Sequence, residues 1–274
     1  MLGNVHAELT KMFRRPATWL LISVAFFLSA TFAYLVPYAG FAGGTEGPPN
    51  SDRGLAATLP DQLVGNSIGG SPVFVGALAL ILGVLVVGGE YAWGTWKTVL
   101  GQGVSRMTVY VAKLVAVAVS AFAMTLSCFA AGAVASPIIA SLEDQPISWP
   151  GIGDLIIGVG AGWLVTMMWA TLGVLLAIAF RAVALPVGLG LVWLLAVQNL
   201  VASLAAPLID WVADLQTGLP GPNAGSLVAA LGANPTTPGV AEMAGAGQAA
   251  LVVGGYLVAF AAVGGWLLSR RDII

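Results

Sequence analysis

The sequence predicts an all-α membrane protein of six transmembrane helices with both termini cytoplasmic. It adds an N-terminal amphipathic interfacial helix and a short cytoplasmic helix between spans 2 and 3. Three observations carry this. Apolar residues make up 58% of the 274 positions and charged residues only 8%, too few to clothe a water-soluble domain of this size. Six runs are free of charge, at 16–45, 62–89, 114–142, 155–180, 182–209 and 243–269, and each exceeds the roughly 20 residues that cross a bilayer. The charges then sort by side. Nine of the ten Lys and Arg fall with the termini, nine of the twelve acids fall opposite, and the positive-inside rule makes the basic side cytoplasmic.

Taken in order, residues 1–15 form a short amphipathic helix, with Leu2, Val5, Leu9, Met12 and Phe13 on one face and Glu8, Lys11 and Arg15 on the other. Such a helix lies in the headgroup plane with its charges in water, a plain positive-inside flank being the alternative. Pro16 opens the first span, where its missing N–H costs nothing, and Trp19 sits at an interfacial depth. That span is too long for a signal-peptide core and is expected to be a retained anchor. The outer stretch near 39–70, with Gly43-Gly44 and Pro48-Pro49, reads as irregular.

Between spans 2 and 3 lies the one cytoplasmic connection with content, residues 90–106. On a helix Ala92, Trp96, Val99 and Leu100 share a face, while Glu90, Lys97 and Thr98 lie elsewhere. Gly101 and Gly103 end that helix, and Ser105 is the candidate N-cap of span 3. Two tryptophans and a lysine here suit a protein partner; an interfacial aromatic belt with a turn is the rival reading. Lys113 stands ~10 Å along the helix from Arg106 at 1.5 Å per residue. It is expected to snorkel to the interface, an ion pair with Glu90 being the rival.

Cys128 reads as a small buried apolar residue, and a lone cysteine excludes an intrachain disulfide. Gly158 and Gly162 form a small-xxx-small pair in span 4. In span 5, Gln198 and Asn199 either line a substrate path or act as inter-helix hydrogen-bond glue. The last outer loop, 207–246, carries Pro220-Gly221-Pro222 and Asn234-Pro235 around the apolar stretch Leu227–Leu231, which is too short to span. A re-entrant or interfacial helix explains it, and a plain extracellular loop is equally open. The whole of 1–274 reads as one membrane domain, without an internal repeat.

Several function classes are excluded. His6, the single histidine, sits in the amphipathic segment as a solvated residue, and no G-x-S-x-G, H-E-x-x-H or Cys/His cluster occurs. Glu143 and Asp144 read as a solvated outer turn. An ion-coupled transporter needs ionisable groups inside its spans, and apart from Lys113 these interiors hold none. No catalytic, cofactor or metal residue is expected.

The order Glu90, then Gly94-Thr95-Trp96-Lys97, then Ser105-Arg106 and Lys113, together with the opening Glu8–Pro16, resembles the ABC-2 type permease subunits of ATP-binding-cassette exporters. With six spans, N-in and C-in, the resemblance covers the whole chain. It implies a half-transporter that pairs with a second copy or a similar permease and rests on separate cassette ATPase subunits, which bind ATP and Mg. It assigns Glu90, Gly94, Thr95, Trp96, Lys97 and Arg106 to coupling with that ATPase. No G-x-x-x-x-G-K-[ST] occurs, so phosphate binding is left to another polypeptide. The expectation is a homodimeric exporter of a drug, antibiotic or lipid-like amphiphile in a bacterial cell membrane. The rival is a non-transporting scaffold or immunity-type sensor that binds a cassette ATPase.

Overall fold

A computed structural model describes residues 1–43, 53–101, 103–198 and 216–271; the side chains of Lys97 and Val99 are outside the description. All regular structure among these residues is helical. Five helices are long and apolar enough to cross a membrane. They are α2 (Pro16–Gly43), α4 (Phe74–Ala92), α6 (Arg106–Leu142), α7 (Ile152–Phe180) and α10 (Ala246–Arg270). Shorter helices are α1 (Leu2–Arg14), α3 (Leu63–Ile68), α5 (Thr95–Gly101), α8 (Ala184–Val197) and α9 (Pro220–Ala229). Of the expected fifth span, 182–209, α8 is the described part, and Asn199 lies outside the described residues.

Two boundaries differ instructively from expectation. The uncharged run 62–89 is not one span: α3 ends at Ile68, a turn covers 69–73, and α4 begins at Phe74. Gly69-Gly70 weakens the helix, and Pro72 removes a donor and pushes its predecessor out of the helical region. Apolar residues of α3 serve protein burial, with Leu63, Val64 and Ile68 all buried. In the other direction, α6 runs eight residues N-terminal of the expected 114 and carries Arg106 and Lys113 inside it. Ser105 caps it as anticipated, accepting from the Thr108 N–H at 3.1 Å.

The helix α2 contains a π-helical turn over Ala30–Leu35, closed by the Val36 N–H bonding to Thr31 O. Pro37 explains it: without an N–H and with a ring that crowds the preceding turn, it shifts the ladder by one residue.

Helices α4 and α7 pack backbone against backbone at the centre of the bundle. A Cβ on Gly83 would meet the Ala170 carbonyl, and one on Gly173 would meet that of Leu80. Ala79-x-x-x-Gly83 and Gly173-x-x-x-Ala177 are thus the principal small-residue seams. The expected pair Gly158 and Gly162 serves another contact, seating Val64 and Ile68 of α3. Cys128 is buried among apolar neighbours, as expected.

Within the 207–246 stretch, whose residues 207–215 are outside the description, α9 is buried against α10, α7 and α3. Its Ser226 hydroxyl donates toward Pro222 O and Ala241 O, both at 2.9 Å. The same oxygen accepts from the Met243 and Ala244 N–H groups at 3.0 and 3.2 Å, which pins the chain as it enters α10.

Helix ends group by charge. At one end Arg106 donates to Arg271 O at 2.7 Å and Arg271 to Ala179 O at 2.6 Å. At the other, Tyr38 donates to Glu143 at 2.7 Å, tying the end of α2 to the turn after α6.

Replacing Gly83 or Gly173 by Val should destabilise the detergent-solubilised protein by about 1–3 kcal/mol through overpacking. Gly160→Val is the control on α7, because a Cβ there meets nothing within 4 Å. Equal melting temperatures for all three variants would count against the α4–α7 seam.

Candidate functional site

The basic end is organised around four charges drawn from three helices. Glu8 and Lys11 sit one turn apart on α1, Glu90 is near the C-terminus of α4, and Lys113 is two turns into α6. Lys113 Nζ lies 2.6 Å from Glu90 Oε1 and 3.1 Å from Glu8 Oε2. Lys11 Nζ lies 2.7 Å from Glu8 Oε1 and 3.1 Å from Glu90 Oε1. Each acid therefore touches both lysines, and the signs alternate around a closed ring with no net charge.

Lys113 is fully buried and Glu90 is 2% exposed, whereas the Lys11 side chain keeps 39% of its surface. Lys113 thus does not snorkel; the expected rival, its pair with Glu90, is what forms. The reason is energetic: an ammonium out of water needs carboxylates and not merely proximity to an interface. One face of the ammonium is covered by Trp96, whose ring centroid is 5.4 Å from Nζ, a cation–π contact.

Helix α1 is amphipathic, as expected, but one charge of its polar face is not in water. Its charged residue Glu8 is buried together with Met12, while Leu2 and Phe13 are exposed. The helix presses its polar–apolar seam onto α6 so that Glu8 can reach Lys113. Burial pushes the Glu8 carboxyl up, but Lys113 and Lys11 outweigh it and hold it below the ordinary carboxylate range. Burial likewise pulls Lys11 down, and its hydrogen bond to Glu8 and the charge of Glu90 more than compensate, leaving it raised.

The segment after α4 brings Trp96 to this ring. Trp93 and Gly94 interrupt the helix, and Gly94 takes φ +63°, the left-handed conformation suited to glycine. Thr95 then starts α5, its hydroxyl 3.5 Å from Glu90 O. The two tryptophans part company: Trp96 is 2% exposed and packs tilted against Tyr91 with ring centroids 5.5 Å apart, while Trp93, outside the helix, is 84% exposed. Trp96 accordingly faces inward and Trp93 is left on the surface. Helix α5 ends at Gly101, as expected.

Of the residues singled out from the sequence, Glu90 and Trp96 meet in this site, and Gly94 and Thr95 shape the turn between them. Lys97 belongs to α5, but its side chain lies outside the description. Arg106 stands apart, bonded to Arg271 O and to Leu268 O at 3.4 Å. Gln198 is remote, packed on Gly221 at the start of α9. Glu8 and Lys11 were not singled out as site residues. Their signal was available in the exceptions to the charge partition: Glu8 and Glu90 are acids stranded on the basic side, where a pairing role is the natural expectation. His6 is exposed, as expected.

A family model described as ABC-2 family transporter protein matches residues 4–197, which takes in α1 through α8 and all four members of the ring. No curated protein matches the chain.

Replacing Lys113 by Met strands two buried carboxylates on Lys11 alone and should cost about 3–5 kcal/mol in unfolding experiments. Adding Glu90→Leu should recover much of that loss. Full stability in Lys113→Met alone would show the ring to be unimportant. The ring also sets a pH window for α1. The Glu8 contribution is whole above the ordinary carboxylate range and lost as pH falls through its depressed value; that of Lys11 is lost only as pH rises through its raised value. Hydrogen-exchange protection factors across 2–14 should therefore fall only as pH drops below the ordinary carboxylate range, and Glu8→Gln should lower them already at neutral pH.

Proposed function

The chain belongs to the ABC-2 family of transporters, and on that premise we propose that it is the permease subunit of an ATP-driven exporter whose cassette ATPase is a separate polypeptide. It is an integral, multi-pass membrane component. In this reading it has six spans, the fifth over 182–209, and both termini are cytoplasmic. The charge sorting supports this orientation, since the bases collect at the end where α1 and α5 lie. The membrane is a bacterial cell membrane, and two copies, or this chain and a similar permease, enclose the path. Residues 207–246 include re-entrant helices at the outer side.

The observation that carries the reading is the buried ring Glu8–Lys11–Glu90–Lys113 under Trp96. It joins α1 and the 90–106 segment, the surfaces that face a cytoplasmic partner, to α4 and α6, which cross the membrane. A push on α5 or α1 is then delivered to two spans at once, because sliding any one of the three helices would separate buried opposite charges. Coupling is assigned to Glu90, Gly94, Thr95, Trp96, Lys97 and Arg106, with Glu8, Lys11 and Lys113 completing the linkage. Exposed Trp93 supplies an anchor for the ATPase surface. ATP and Mg are held by that partner. The cargo is a drug, antibiotic or lipid-like amphiphile, and Gln198 and Asn199 contribute polar groups to its path.

Co-purification with the cassette ATPase and reconstitution in liposomes tests this. Trp93→Ala should weaken recruitment of the ATPase, while Glu90→Gln should leave recruitment intact and lower permease-stimulated hydrolysis by roughly tenfold, the equivalent of about 1.4 kcal/mol. Normal stimulation in Glu90→Gln would remove the ring from coupling. Recruitment without any ATP-dependent solute movement would point to a non-transporting scaffold.

A further inference from the structure

The end of the bundle opposite the ring holds a cavity of about 480 Å³, within the range of roughly 300–1,000 Å³ usual for small-molecule sites. Its walls are α2 around the π-helical turn, the α3–α4 turn and the loop 234–238. Phe32 and Phe74 stand side by side on α2 and α4, with ring centroids 6.4 Å apart and planes within 8°, and both are exposed on the outside of the bundle. Both also line the cavity, so it adjoins the surface that faces lipid.

Its polar wall is specific. Arg53 lines it, and Arg53 is the one base on the side of the chain where nine acids gather. Its Nε is buried, and among the described residues no acceptor bonds to it. Burial lowers the Arg53 pKa. Asn66, Asn234 and Thr237 share the lining, giving neutral polar groups beside the guanidinium. Depth agrees as well. Leu28 to Pro37 lie ~18 to ~32 Å along α2 from Pro16 at 1.5 Å per residue, the far edge of a hydrocarbon core about 30 Å thick.

We propose that this cavity binds an anionic phospholipid of the surrounding bilayer, its phosphate on Arg53 and an acyl chain between Phe32, Phe74 and the π-helical segment of α2. Arginine recognises phosphate oxygens through paired N–H donors, and an apolar slot beside it admits the chain that a free phosphate lacks. Among the described residues no carboxylate lines the slot beside Arg53. The binding stands whether or not the chain moves a solute.

Native mass spectrometry of the purified full chain, titrated with phosphatidylglycerol and phosphatidylcholine of equal acyl length, tests the proposal. Phosphatidylglycerol should be retained about tenfold better, the value of one charge-assisted contact. Arg53→Gln should reduce the two lipids to equal occupancy, and Arg53→Lys should keep part of the preference. Ala33→Trp, which fills the cavity from α2 and leaves the Arg53 side chain unaltered, should abolish retention of both at an unchanged melting temperature. Inorganic phosphate at millimolar concentration should not displace the lipid. Equal retention of both lipids by the unaltered chain, a preference that survives Arg53→Gln, or displacement by phosphate alone would each overturn it.

Discussion

Burying the ammonium of Lys113 is the constraint around which the basic end is arranged. A lone charge there would cost several kcal/mol even after relaxation, so its presence obliges two carboxylates to come to it. Glu90 arrives by extending α4 to Ala92, and Glu8 arrives by laying α1 across α6. Two carboxylates around one ammonium leave a net negative charge, and Lys11 restores neutrality while remaining half in solvent. Trp96 closes the last side, which fixes where α5 must sit. The positions of α1 and α5 thus follow from one lysine.

That dependence has a mechanical consequence. Apolar helices in lipid slide at modest cost, because lipid tails are as apolar as the side chains they replace. A ring of buried opposite charges does not slide, since displacement by even a few ångströms in a low-dielectric site separates charge. The α4–α7 seam, with its backbones brought together at Gly83 and Gly173, adds a second rigid contact further along α4. In the proposed coupling, motion entering at α1 or α5 would pass to α4, and from α4 to α7. The opposite end is built differently, with a π-helical turn, an interrupted α3–α4 passage and a cavity lined by Arg53, whose Nε bonds to no acceptor among the described residues.

Much of this was legible in the residues. The charge partition located the ends of the long helices, and Ser105 and Gly101 marked their boundaries. Counting uncharged runs failed in two places for one physical reason. Hydropathy measures dislike of water and cannot tell lipid from protein as the alternative, so α3 was merged with α4 although its apolar side chains pack inside the bundle. The same count cut off the first turns of α6, because a charge that is paired in the fold looks the same in sequence as one bound for water. Likewise the amphipathic pattern of α1 placed Glu8 in solvent; only the long-range partner Lys113, 105 residues away, turns it inward. The more telling signal lay in the acids that broke the partition.

Held by the ring, α1, α5 and the start of α6 should move as one body. Spin labels at His6 and Thr98, both exposed, in a Cys128→Ala background would report the distance between α1 and α5 in the ATPase complex. A distance distribution that is unchanged between nucleotide-free and ATP-trapped states, and that broadens in Lys113→Met, is the predicted result. A shift of several ångströms between nucleotide states in the otherwise unaltered chain would contradict it.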